Sequence, residues 1–162
     1  MRHNLYLLLF IIVAVSTPMR TALAGTNTPV LAGQPELRQL LQQEMQALKE
    51  AMAVLSQALP QGEWHAVAET AGQIHDSFIF QQKLTAKDRE TLHQTLPEGF
   101  IRQDRAFHQQ ARKLQHAAES QDAELSLFYY SKMLESCVAC HSQFATHRFP
   151  SLTAGASAPD GH

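Results

Sequence analysis

Residues 122–144, DAELSLFYYSKMLESCVACHSQF, decide how this chain is to be read. Asp122 suits the N-cap of a helix, and no breaker follows before Pro150. A helix is expected from Asp122 to about His147, carrying Leu125, Phe128, Met133 and Leu134 as its apolar side chains. Near its end stands Cys137-Val138-Ala139-Cys140-His141, two cysteines three apart with a histidine directly after the second. That is the attachment spacing of a c-type haem. Thiols at i and i+3 of a helix reach the two vinyl groups of one porphyrin and add to them as thioethers. His141, four residues after Cys137, shares its face and brings an imidazole under the iron. A redox dithiol or half of a zinc site would use the same CxxC. The chain holds only two cysteines, however, so nothing completes a tetrahedral zinc set, and no βαβ pattern surrounds the motif.

The N-terminus points the same way. Met1-Arg2 carries a positive charge, Leu5 to Val15 is an unbroken apolar run, and Ala22-Leu23-Ala24 precedes Gly25. This is the order of a secretory signal, and the run is too short to span a bilayer. Residues 1–24 are therefore expected to be a signal peptide cleaved after Ala24, leaving a periplasmic protein with no membrane span. Cleavage removes Arg2 and Arg20 and no acidic residue, so the formal charge moves from −2 to −4. Such a balance excludes nucleic-acid binding as a leading function. No Ser-His-Asp set, phosphate loop or paired-carboxylate site stands out, so no enzyme is expected. The acidic residues read as solvated charges along helix faces.

Residues 25–34 read as a flexible lead, and Pro35 suits the first turn of a helix. Leu37, Leu41, Met45, Leu48, Met52 and Leu55 then recur at helical steps until Pro60-Gln61-Gly62. A second helix is expected from about Glu63 to Leu84, with Trp64, Val67, Ala71, Ile74 and Phe78 on one side. Thr85 and Asp88 form a capping-box pattern for a short extra helix. Phe107, Ala111, Leu114 and Ala118 mark a third long helix beginning near Phe100. Ser151 to His162 is small and polar, so residues 150–162 read as a disordered tail. With no strand-like alternation, residues 35–149 are expected to form one all-α domain, an antiparallel up-down four-helix bundle.

A helical bundle with CxxCH on its last helix resembles the cytochrome c′ family, and in particular its methionine-ligated, low-spin relatives. Gly62-Glu63-Trp64 at the start of the second helix, and the run Phe107 to Asp122 leading into the motif helix, extend the resemblance from about Pro35 to Arg148. The resemblance implies one covalent haem c on Cys137 and Cys140, with His141 as an axial iron ligand. It places the sixth ligand on the first helix, as a methionine in low-spin members and as no protein ligand in high-spin ones. Counting back from Trp64 by the family's spacing lands at Glu44. Its neighbour Met45, on the apolar stripe, is the expected ligand, with Met52 as the fallback. His75 and His108 lie nearest the apolar stripes among the other histidines. Phe78, Phe107, Phe128 and Tyr129 are expected to wall the haem or the core.

One departure is visible. Family members commonly carry arginine after the aromatic that follows the motif, whereas Ala145 follows Phe144 here and Arg148 comes three residues later. The implied function is single-electron transfer with redox partner proteins. The alternative is a five-coordinate protein that binds or senses NO or CO. A homodimer is compatible with the resemblance.

Overall fold

The computed structural model describes residues 30–154. The signal segment lies outside the described residues, as do half of the lead and most of the tail. Every element among the described residues is helical: α1 (Pro35–Gln61), α2 (Trp64–Asp76), α3 (Phe80–Lys83), α4 (Ala86–Thr95), α5 (Glu98–Glu119), α6 (Ala123–Phe144) and α7 (Ser151–Ala154). No helix among them is long and apolar enough to cross a membrane.

α1 ends where Gly62 takes a left-handed φ of 68° and donates to the Leu59 carbonyl, while Glu63 donates to Ala58. That geometry needs a residue without Cβ, which the glycine supplies. Pro60 is tolerated inside the last turn. The capping box of α4 forms as expected, with Thr85 and Asp88 exchanging side-chain and backbone hydrogen bonds. The Asp122 carboxylate accepts from the Leu125 N–H at 2.9 Å and starts α6.

The main core gathers Leu48, Met52, Leu55, Val67, Ala71, Ile74, Phe107, Ala111, Leu114, Ala118 and Met133. Burying each large member contributes about 1.5–3 kcal/mol. α5 packs closely on both α2 and α6, and α1 on α2, whereas α1 and α6 meet only sparsely. A smaller cluster of Leu31, Leu37 and Leu84, with Leu92 and Leu96 against it, ties α4 to the start of α1.

Several expectations need correction. The described part of the lead is a turn, and Leu31 inserts into the smaller cluster at 3% exposure with a φ of 62°. α2 stops at Asp76 instead of running to Leu84, because the next three residues turn to meet a carboxylate of α1. α6 stops at Phe144, where Ala145 caps it by donating to the His141 carbonyl. The stretch read as a disordered tail begins with the short helix α7. On α6 itself, Leu125, Phe128 and Leu134 are exposed, while Met133 and Ser126 are fully buried.

Candidate functional site

α6 carries the motif in its last two turns, with the side chains turned to the edge of the bundle. Cys137 packs against the main core, and both cysteines are free thiols and half-buried. Burial pushes the Cys137 thiol up, and pushes that of Cys140 up to about 11, with the charges of Asp104 and Cys137 adding to the effect. A redox dithiol has the opposite character, an exposed thiolate with a lowered pKa.

The turn beyond α6 holds His141 in place. The chain bends at Ala145, and Arg148 and Phe149 each donate a backbone N–H to its carbonyl. The bend brings the Phe149 ring onto the His141 imidazole, with centroids 4.3 Å apart and planes 11° from parallel. Burial first, and then the positive charge of Arg148, hold His141 below its usual pKa. Both effects favour the neutral imidazole, the form that binds a metal, and the stacked ring covers one of its faces. Arg148 acts on the imidazole despite its displacement from the position after Phe144.

Both candidate sixth ligands are on α1, in different settings. Met52 is buried inside the main core, and the Tyr130 hydroxyl donates to its carbonyl at 3.4 Å. Met45 is only partly buried and borders the same core as Cys137. Near these residues, a cavity of about 420 Å³ is lined by Arg38, Gln42, His147 and Arg148.

Glu44, read as solvated, is buried at 2% exposure. Its Oε1 accepts from the Ser77 hydroxyl at 2.9 Å and the Phe78 N–H at 3.2 Å, and its Oε2 accepts from the Ile79 N–H at 2.6 Å. The carboxylate therefore caps the break after α2, where Ser77 takes a φ of 61°. The signal in the sequence was its spacing: Glu44 falls between Leu37, Leu41 and Leu48 on the apolar stripe.

His75 and His108 hold α2 to α5. His75 Nδ1 donates to the His108 carbonyl at 3.1 Å, and His108 Nδ1 donates to the Ile74 carbonyl at 2.6 Å. The second nitrogen of His108 lies 3.6 Å from Asp104. Burial opposes a charge on this ring, but the Asp104 carboxylate, the Ile74 carbonyl and Glu44 outweigh it and raise the His108 pKa. A raised folded pKa gives stability that is fully present below the unfolded value and is lost as pH rises through the folded one. Denaturant midpoints should fall as pH rises above about 6.5. Asp104→Asn should flatten that slope, and equal slopes in the two proteins would remove the pair from the account. Phe107 is core and Phe78 and Tyr129 border it, while Phe128 is half-exposed and stands outside the core. Among the described residues, no group of three or more His, Cys, Asp or Glu side chains is arranged to hold a metal ion.

No family model, curated protein or solved structure matches the chain.

Proposed function

We propose that this chain is an exported c-type cytochrome, akin to the methionine-ligated relatives of cytochrome c′. In this reading the helices form an antiparallel up-down four-helix bundle. One haem is attached through Cys137 and Cys140, and the iron is bound by His141 and Met45. The protein carries single electrons in the periplasm.

The observation that carries the reading is how α1 lies against the motif. Tyr130 of α6 reaches Met52 of α1. If the two helices run antiparallel, seven residues along each brings Met45 level with Cys137, and leaves Met52 about 10 Å away along the axis. Met45 and Cys137 also flank one core, and α1 and α6 meet only sparsely. The donor set fits the group: two free thiols, a neutral imidazole and a thioether. Arg38 and Arg148, on the cavity beside them, suit the two haem carboxylates.

Once bound, the haem supplies a one-electron Fe(III)/Fe(II) couple, whose potential a thioether ligand raises. The chain's own residues do the rest. The thiols would anchor the group against loss outside the cell, Phe149 would orient the imidazole by stacking on it, and Met45 would compete with exogenous ligands for the iron.

The test is the intact mass and the visible spectrum of protein expressed with the haem-attachment machinery. The mass should exceed that of residues 25–162 by one haem, and acid–acetone should leave the colour with the protein. The ferric form should be low-spin, and the ferrous form should not bind CO. Extractable haem would sink the cytochrome reading. A high-spin spectrum with CO binding would replace electron transfer by the NO- or CO-binding alternative.

A further inference from the structure

A second cavity, of about 460 Å³, opens on the other side of α5. Its walls come from the end of α2, from α4 and the segment before it, and from the first half of α5, with none from α1 or α6. Its lining shares no residue with the cysteine motif or with Met45, although Asp104 on its wall also acts on the Cys140 thiol. Its size falls within the range of about 300–1,000 Å³ typical of small-molecule sites.

The lining has two chemistries. Leu84, Leu92, Leu96 and Ile101 supply apolar lining, and Arg89 of α4 and Arg105 of α5 each add a guanidinium side chain to it. Both arginines are exposed, and neither enters an ion pair among the described residues. Among the described residues Asp104 is the one carboxylate lining the cavity, and His108 lies 3.6 Å from it. The lining is thus locally positive on a chain whose formal charge is −2. Two uncommitted guanidinium groups over an apolar wall match a ligand with one anionic end and one greasy end. A guanidinium pairs a planar carboxylate through two parallel hydrogen bonds.

We propose that this cavity binds a small amphipathic carboxylate, with its head between Arg89 and Arg105 and its apolar body along Leu92, Leu96 and Ile101. The proposal does not rest on the haem reading, since no residue of α6 or α1 lines the cavity.

Calorimetric titration of the full chain with octanoate tests the proposal, with acetate and 1-octanol as probes of the two halves. Octanoate should bind one-to-one and saturably. Acetate and octanol should each bind at least about tenfold more weakly, because each lacks one of the two contributions. Arg89→Gln and Arg105→Gln should each weaken octanoate about tenfold, and Arg105→Lys should fall between wild type and Arg105→Gln. Both arginines are surface residues, and circular dichroism will verify that the variants fold. Amide NMR shifts on octanoate binding should concentrate in residues 84–109. The proposal is overturned by no saturable binding at millimolar octanoate, by octanol or acetate binding as tightly as octanoate, by variants that bind like wild type, or by shifts centred on residues 38–45 and 137–149.

Discussion

Replacing Glu44 with alanine should destabilise the fold by roughly 3–5 kcal/mol. The buried carboxylate satisfies the buried Ser77 hydroxyl and the part-buried backbone N–H groups of Phe78 and Ile79. Alanine leaves those donors buried without this acceptor, at about 1–3 kcal/mol each. It also leaves Ser77 in a left-handed conformation, φ 61°, without the contact that offsets the strain. The melting temperature should drop by roughly 10–20 °C. Glu44→Gln keeps one acceptor oxygen and should cost about half as much. An alanine variant melting within about 2 °C of wild type would mean that the break is held by other contacts.

Met45→Leu should change the spectrum more than the stability. If the Met45 sulfur binds iron, its loss should abolish the weak near-infrared sulfur-to-iron band and open the sixth position to CO. It should also lower the reduction potential by on the order of 100 mV, within the range of about 0.8 V that axial ligands span. Met52→Leu should keep the band and cost less than about 1.5 kcal/mol, because it exchanges side chains of similar volume in the core. Loss of the band in Met52→Leu, with the band intact in Met45→Leu, would move the ligand along α1 and leave the electron-carrier reading standing.

Much of the fold was legible because the aliphatic residues on the apolar stripes of α1, α2 and α5 have no chemistry beyond packing. Leu55, Val67, Ile74 and Leu114, all expected inside, are fully buried. The caps at Thr85 and Asp122 were equally readable, since a polar side chain just before a helix has one dominant role. The face of α6 was not. Its inward side is Ser126, Tyr130, Met133 and Cys137, where a serine and a tyrosine interrupt the apolar pattern and leave Leu125 and Leu134 as decoys. The break after α2 was hidden for a different reason. Its cause, Glu44, lies 33 residues before Ser77, and only the packing of α1 on α2 brings the two together. In the candidate site, the motif was readable from local spacing. The cover on His141 was not, because the turn after Ala145 has no strong signal before Pro150.

The stacking of Phe149 on His141 has a consequence in time. The two rings are eight residues apart along the chain, and a helix end joined to a tight turn closes in about a microsecond or less. Met45 and Cys137 are separated by most of the domain, and contacts of that span form late because loop closure comes first. The thiols, the imidazole and its aromatic cover are therefore shaped by one short C-terminal segment before α1 arrives. If a haem is attached to the two cysteines as proposed, this order of closure predicts that attachment meets the C-terminal segment before α1 has packed against it.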